Sequence, residues 1–320
     1  EVGDVVLAIG NPFGVGQSVS MGIISALGRG GFGITAYEDF IQTDAALNLG
    51  NSGGALVDAE GRLIGINQSI VSGSGANAGV GFAIPVNQAR TVLERLAKDG
   101  KIARGYLGVK PQELNRGLAR QFAVPDQNGA LVADVFPDTP AEKAGIKQGD
   151  VIVEVNGKEI NDDRHLRLTV SQLAPGTKVT VKALRRGAEK TFAVTLGEFP
   201  EDGLSKESVG PDDHGELEAD ALDGVEVSDL DHRTRQQLQI PHTVQGALVL
   251  KVDPDSNAAE AELREGDVIT EINRQPVRDA DEAMRLIRKA KDNEILLRVW
   301  SNAKGGGGSR YLTVETGKKK

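Results

Sequence analysis

The sequence contains no cysteine. This excludes disulfides, thiol catalysis and cysteine metal sites, and it fits an oxidising or harsh compartment without establishing one. No apolar run approaches the roughly 20 residues that span a bilayer, so no membrane span is expected. The chain opens at Glu1, with neither a methionine nor a signal-peptide pattern, directly before the strand-like run Asp4 to Ile9. A basic excess is missing too. With a formal net charge of -9 the chain has no electrostatic footprint for nucleic acid and no general attraction to an anionic membrane. No nucleotide motif and no cluster with metal-ligand spacing occurs, so no cofactor and no metal is expected. The glycine-rich stretch Gly10 to Gly16 does follow a strand, but Ser18-Val19-Ser20-Met21 continues as another alternating strand, where a dinucleotide pyrophosphate would need a helix N-terminus.

What is present begins with short β runs. Residues 4 to 10, 18 to 27, 39 to 44, 54 to 58, 62 to 71 and 78 to 85 are rich in Val, Ile and Ala and are broken by glycine-bearing turns. Six such runs suit one antiparallel barrel. After Pro85 the period changes, with Val86, Ala89, Val92, Leu93 and Leu96 at helical spacing and Gly100 where a C-terminal cap belongs. At 320 residues, two or three domains can each bury a core.

Between two of the runs lies Gly50-Asn51-Ser52-Gly53-Gly54. Flanking glycines let the backbone take angles denied to other residues, so that several N–H groups can converge beside the Ser52 hydroxyl as an oxyanion hole. By base rate, a Gly/Asn/Ser cluster between strands is a plain turn. The surroundings bear on the choice. Taken in order, Ala8-Ile9-Gly10-Asn11-Pro12-Phe13-Gly14, Gly22-Ile23-Ile24-Ser25, Phe40-Ile41-Gln42-Thr43-Asp44-Ala45, the Ser52 loop and Gly81-Phe82-Ala83-Ile84-Pro85 resemble the HtrA (DegP/DegQ-like) serine proteases. That resemblance implies a mainly β chain with short helices: the C-terminal half of a trypsin-like double β-barrel over residues 1–100, followed by two PDZ domains. It makes Ser52 the nucleophile, with the N–H groups of Gly50 and Ser52, and of Asn51 beside them, as the oxyanion hole. It also implies that a first barrel carrying the triad His and Asp belongs before Glu1.

A serine hydroxyl needs a base within hydrogen-bond reach. The four histidines, His165, His214, His232 and His242, all follow Ser52 and fall in the repeats or the segment joining them, so none is expected to serve. Asp44 is expected to have a structural hydrogen bond rather than the triad acid's role. The chain alone is therefore expected to be nearly inactive. In trypsin-like sites the residue six before the serine floors the S1 pocket; here it is Ala46, beside Leu47 and with Ile70 on the following strand. Small or medium apolar P1 residues should be preferred. The loops Gly28 to Gly33 and Val71 to Ala78 flank the site in the family and switch there on activation; ordinary surface loops remain the alternative.

Beyond Gly100 the sequence repeats. Gly129-Ala130-Leu131-Val132 recurs as Gly246-Ala247-Leu248-Val249, Gly149-Asp150-Val151-Ile152 as Gly266-Asp267-Val268-Ile269, and Asn156 as Asn273, at one constant offset. So long a period means two copies of one domain. Each copy has a second helix, over 162–173 and 279–290. Both resemble HtrA-type PDZ domains, placed at 104–198 and 222–316 with an acidic linker over 199–221. A PDZ domain takes a peptide by strand addition, with the terminal carboxylate held by backbone N–H groups of a glycine loop. In the first copy that loop is Gly105-Tyr106-Leu107-Gly108-Val109, facing Leu166 and Val170; the alternative is that these apolar residues are simply core. In the second copy Asp223 puts a negative charge where a carboxylate would arrive, so assembly or substrate gating is expected there. Gly305-Gly306-Gly307-Gly308-Ser309 is expected to be a hairpin turn.

The resemblance thus implies an ATP-independent endoprotease of the bacterial periplasm that acts on unfolded or misfolded proteins and peptide C-termini and assembles as a homotrimer or larger. The alternative is a non-catalytic tandem-PDZ adaptor or chaperone.

Overall fold

The computed structural model describes residues 1–320 apart from 33, 36, 73–75, 201–219, 223, 291–292, 303–306 and 317–320. The chain divides into two compact units, Glu1–Arg104 with Arg167–Ala174, and Gly105–Leu166 with Pro175–Lys320.

In the first unit the six expected runs are six strands, β1 Val5–Gly10, β2 Ser18–Arg29, β3 Phe40–Thr43, β4 Ala55–Asp58, β5 Leu63–Ile70 and β6 Gly81–Pro85. They close into an antiparallel barrel in the order β1-β2-β3-β6-β5-β4, with β4 returning to β1. Closure leaves no strand edge, and the alternating residues Val6, Ala8, Ile24, Ile41, Leu56 and Ala83 meet inside. The Gly10 to Gly16 segment is a turn, held by the Asn11 side chain, whose Oδ1 accepts the Gly16 N–H at 2.8 Å. Helix α1, Val86–Asp99, ends on Gly100 in the left-handed conformation, whose N–H donates to the Leu96 carbonyl. Its apolar stripe is not a buried one. Val86, Ala89 and Val92 are half-buried, while Leu93 and Leu96 are exposed. Periodicity identifies the apolar face of a helix and says nothing of what covers it.

The second unit holds both repeats except residues 167–174 of the first copy, which fall in the first unit. The first copy is β7 Gly105–Tyr106, β8 Val109–Gln112, α2 Arg116–Gln121, β9 Ala130–Val135, α3 Pro140–Ala144, β10 Val151–Val155, β11 Lys158–Glu159, α4 Asp163–Ser171, β12 Lys178–Arg185, β13 Ala188–Thr195 and β14 Gly197–Glu198. Its main sheet runs β13-β12-β10-β9-β8, so β8 is an edge strand. The second copy is β15 Asp220–Leu222, β16 Val225–Asp229, α5 His232–Gln237, β17 Ala247–Val252, α6 Asn257–Glu260, β18 Val268–Ile272, β19 Gln275–Pro276, α7 Ala280–Lys289, β20 Glu294–Ser301 and β21 Gly308–Glu315, with its sheet in the order β15-β16-β17-β18-β20-β21. Ser301 pairs with Gly308 as the last pair of the β20–β21 hairpin; residues 303–306, with the first two glycines of the run, lie outside the described residues.

The repeated asparagine has a physical reason. Asn156 and Asn273 both have positive φ, 52° and 48°, in the tight turn after β10 and β18, where asparagine is tolerated better than most residues. Each also pins the neighbouring strand: Asn156 exchanges bonds with Thr180 and Asn273 with Leu296, N–H to carbonyl one way and Oδ1 from N–H the other.

The two copies share a core. Leu114, Leu118, Phe122, Leu131 and Val151 of the first pack with Leu296 and Tyr311 of the second. Around it Gln112 donates to the Tyr311 carbonyl at 2.8 Å and accepts its N–H at 2.9 Å, and Arg298 reaches Asp134 at 2.8 Å. Burial pushes the Tyr311 phenol well above its ordinary range, with the nearby Glu271 carboxylate adding to the effect.

Candidate active site and strand-addition edges

Ser52 sits on an exposed turn between β3 and β4, and two neighbouring glycines with positive φ, Gly50 at 103° and Gly53 at 85°, turn the backbone around it. The loop is laced to the turn after β1: the Phe13 N–H donates to the Leu49 carbonyl at 2.7 Å and the Asn11 N–H to the Gly50 carbonyl at 3.4 Å. Of the three expected oxyanion donors, the Gly50 and Ser52 N–H groups meet no acceptor among the described residues, whereas the Asn51 N–H donates to the Asn48 carbonyl at 3.0 Å. Asn51 is buried and its Nδ2 points to the Ala46 carbonyl at 3.4 Å, so it serves the shape of the loop. The Ser52 hydroxyl donates to the Gln68 carbonyl on β5 at 2.8 Å. Its partner is thus a main-chain oxygen, which cannot act as a general base. Asp44 has the structural bond expected of it, accepting the Ile23 N–H at 2.8 Å.

The expected S1 residues divide. Ala46 is exposed, and its carbonyl accepts the Ser20 hydroxyl at 3.0 Å. Leu47 is buried in the barrel core, and Ile70 packs against the same core half-buried. Two further residues hold the flanking loops. Asn77 donates from Nδ2 to the Leu47 carbonyl at 3.0 Å and the Ala45 carbonyl at 3.5 Å, while its own N–H donates to Asn48 Oδ1 at 3.0 Å. It clamps the Val71 to Ala78 loop to the segment before Ser52. Replacing Asn77 by alanine leaves the Leu47 carbonyl without its donor; at about 1–2 kcal/mol for such a loss, amide exchange across 45–49 should quicken roughly five- to thirtyfold. Exchange unchanged within twofold would show that the clamp is idle.

Glu38 does the equivalent for the other loop, accepting the N–H groups of Phe32 at 2.8 Å, of Ile34, and of Thr35 at 3.0 Å. Burial works against its charge, but the N–H groups of Thr35, Phe32 and Ile34 outweigh it and hold the carboxyl below its ordinary range. A depressed folded pKa stabilises the loop above the ordinary carboxylate value, and that contribution is lost as pH falls through the depressed one. Loop amides should therefore exchange faster than intrinsic pH dependence predicts on acidification through that range, and Glu38→Gln should abolish the excess. An unchanged excess in the variant would assign the effect to another group. Neither Asn77 nor Glu38 is singled out by sequence; the surplus of polar residues beside glycines is the only signal.

In the first PDZ copy, Tyr106 on β7 pairs with Gly197 on β14. Leu107 is buried and its carbonyl accepts the Ala141 N–H at 2.8 Å. Gly108, with φ 88°, lies so close to Thr139 that a Cβ would stand 2.1 Å from the threonine Cβ; its carbonyl accepts the Phe136 N–H and stands 3.3 Å from the Thr139 hydroxyl, which is 2.6 Å from the Phe136 carbonyl. Thr139, ahead of the Pro140 that opens α3, is thus the support of the glycine loop, a role the sequence reading missed. Val109 opens β8 half-buried and pairs with Val135. Leu166 and Val170, one turn apart on α4, are buried. In the second copy Gly224 has φ 81° and its carbonyl accepts the Asp253 N–H at 2.7 Å, matching Gly108. Asp223 lies outside the described residues. His165 accepts the Asn161 N–H at Nδ1, His232 and His242 face each other with ring centroids 6.5 Å apart, and His214 lies outside the described residues.

Three family models match along the chain: a trypsin-like peptidase domain at residues 1–66 and PDZ domains at 105–196 and 248–301. Among curated relatives, the periplasmic serine endoprotease DegP of Salmonella typhimurium is 39% identical over 315 residues, 98% of this chain and 61% of the relative. The periplasmic pH-dependent serine endoprotease DegQ of Escherichia coli is 41% identical over 299 residues, 93% of this chain and 62% of its own length. A probable DegP-like endoprotease of Chlamydia pneumoniae is 41% identical over 302 residues, 93% and 59%. This chain spans about three fifths of the length of these relatives. Among solved structures, the HtrA-type protease AlgW with tripeptide is 48% identical with a TM-score of 0.56, covering 62% of this chain and 66% of that one. The chain belongs to the HtrA-type, DegP/DegQ-like family, with a trypsin-like segment followed by two PDZ domains.

Proposed function

We propose that this chain is the Ser52-bearing part of an ATP-independent serine endopeptidase of the bacterial periplasm that hydrolyses unfolded or misfolded proteins. The observation that carries the reading is the Ser52 turn: an exposed hydroxyl beside two N–H groups, of Gly50 and Ser52, with no acceptor among the described residues. Such donors stabilise the developing oxyanion of acyl transfer. Ser52 attacks the scissile carbonyl once a base takes its proton, and the carbonyl oxygen moves into the two N–H groups. The present partner of the hydroxyl, the Gln68 carbonyl, takes no proton. Without the triad His and Asp, serine proteases keep roughly 10³ to 10⁴ over water, a small remnant of full activity. The periplasmic setting rests on the relatives' names, and a homotrimer or larger assembly is the expectation for the complete protein.

Alanine at position 46 offers no charge to a basic P1 side chain, and Leu47 and Ile70 belong to the apolar cluster of the barrel core. The complete enzyme should cleave after Val, Ile, Leu or Ala at least tenfold faster than after Lys, read as kcat/KM on matched peptides; the reverse order would reject Ala46 as the pocket floor. The first PDZ copy captures peptide C-termini on the outer edge of β8, with the loop Tyr106-Leu107-Gly108-Val109 receiving the carboxylate and Leu166 the apolar side chain; its support is the edge position of β8.

A fluorophosphonate reagent, which needs an activated serine, tests the reading on the purified chain with Ser52→Ala beside it. The expected result is no labelling of either, and labelling of wild type alone once the complete protease domain is supplied. Labelling of the chain by itself would mean that a base reaches Ser52 from within it. No labelling even in the complete protein would leave a tandem-PDZ binding module.

A further inference from the structure

The two PDZ copies treat the strand before their glycine turn differently. In the first copy β7 pairs with β14, at the far end of the same repeat, and the outer edge of β8 has no strand partner among the described residues. In the second copy β15 folds back onto β16, pairing Leu222 with Val225 and Asp220 with Glu226. With β17 on its other side, β16 is paired on both edges at Val225 and Glu226. The pairing is antiparallel, and β15 runs toward the Gly224 turn, the direction a peptide takes when it adds to this strand with its C-terminus at the glycine loop. Its end residue is anchored: Leu222 is 6% exposed and lies in one apolar cluster with Ala283 and Leu286 of α7, against which Ala280, Met284 and Ile287 also pack. A strand on the β16 edge with its apolar residue under α7 stands where a PDZ ligand stands.

We propose that the second PDZ copy is built around a ligand of its own chain: Asp220–Leu222 occupies the strand-addition groove between β16 and α7, Leu222 fills the apolar pocket, and free peptides are excluded until the segment leaves. The groove's chemistry is that of an extended segment ending in a medium aliphatic side chain. This goes beyond the charge argument at Asp223, because the exclusion is by occupation and would persist with Asp223 neutralised. It rests on the PDZ fold of this copy, independently of Ser52.

A tethered occupant competes at an effective concentration in the millimolar range, so with affinities of ~10–100 μM a free peptide is weakened roughly ten- to hundredfold. The test uses the whole chain and a peptide of the sequence Glu-Leu-Glu-Ala-Asp-Ala-Leu (residues 216–222) with a free C-terminal carboxylate and a photo-crosslinking group, cross-links being mapped by mass spectrometry so that capture by the first copy is scored separately. Wild type should cross-link at β8, and at β16 or α7 only at roughly ten- to hundredfold higher peptide than a variant whose anchor is evicted. Leu222→Asp, which evicts the anchor, should gain cross-links at 225–229 and 280–289, half-saturating at ten- to hundredfold lower peptide than wild type. Equal cross-linking of β16 and α7 in both would overturn the proposal, as would none in a variant that keeps its far-ultraviolet spectrum. Amide exchange on wild type decides the matter even if the variant unfolds: protection at Asp220–Leu222 comparable with that of β16 is expected, and exchange at unprotected rates there would overturn occupancy.

Discussion

Replacing Asp150 by alanine is expected to cost the first PDZ copy about 3–5 kcal/mol, the range for breaking a buried ion pair from one side. The Asp150 carboxylate is fully buried; one oxygen accepts Arg185 Nε at 2.6 Å, and the other accepts Arg185 Nη2 at 2.7 Å and the Lys147 N–H at 2.8 Å. A two-pronged pair of this kind is the strongest arrangement open to Arg and carboxylate. Its removal leaves a half-buried guanidinium held by the Gly145 carbonyl and the Phe192 ring. Because the chain has several domains, a single melting midpoint is the wrong observable. Amide exchange of β9, β10 and β12 should rise by roughly two to nearly four orders of magnitude, the stated cost converted at 1.36 kcal/mol per tenfold. Asp150→Leu with Arg185→Met should recover most of the loss, since an apolar replacement leaves no charge unpaired. Protection within tenfold of wild type in Asp150→Ala would show that water takes over the role of the carboxylate.

The same aspartate shows where the sequence could be read and where it could not. Its recurrence as Asp267 is plain from the Gly-Asp-Val-Ile repeat, and Asp267 is likewise buried, accepting Arg310 at 2.7 Å, the Arg264 N–H at 3.1 Å and the Ser301 hydroxyl at 2.5 Å. The arginines do not repeat. By strand register the counterpart of Arg185 in the second copy is Ser301, and that of Arg310 in the first is Lys190. One copy neutralises its buried carboxylate from the end of β12, the other from β21. A repeat preserves the position that needs a charge partner, while the partner comes from whichever strand passes close enough.

In the barrel, the strands were legible because closure demands alternation, and Ser52 because glycines crowd it. What holds Ser52 was not. Its hydroxyl, the Asn77 amide and the Glu38 carboxylate all bond to main-chain atoms of segments 3 to 32 residues away, and main-chain partners leave no residue-type pattern. The Asn51 N–H, expected beside those of Gly50 and Ser52 in the oxyanion hole, closes a turn onto Asn48. That choice depends on the φ of Gly50, which a sequence allows but does not state.

That φ gives the last expected result its size. Gly50→Ala should lower kcat of the complete enzyme by about 10² to 10³, the effect of losing one oxyanion donor, whereas Gly53→Ala should lower it far less. Both glycines have positive φ, so an alanine at either pays a strain of about 1–2 kcal/mol. Only Gly50 adds a collision. A Cβ there would stand 2.3 Å from the Asn11 carbonyl oxygen and 3.2 Å from the Phe13 nitrogen, both fixed backbone of the turn to which the loop is laced, while a Cβ on Gly53 meets nothing within 4 Å. Relief requires the loop to lift from the β1–β2 turn, stretching the Phe13 to Leu49 bond and carrying the Gly50 N–H away from the oxyanion position proposed for it beside Ser52. The Gly53 N–H stays tied to the Asn67 carbonyl at 2.8 Å, which keeps the other side of the loop in place. Steady-state hydrolysis of an unfolded protein substrate, with KM measured separately, distinguishes the two: a transition-state donor is lost in kcat, a substrate contact in KM. Equal losses in the two variants would reduce Gly50 to a strained turn residue and move the oxyanion hole elsewhere on the loop.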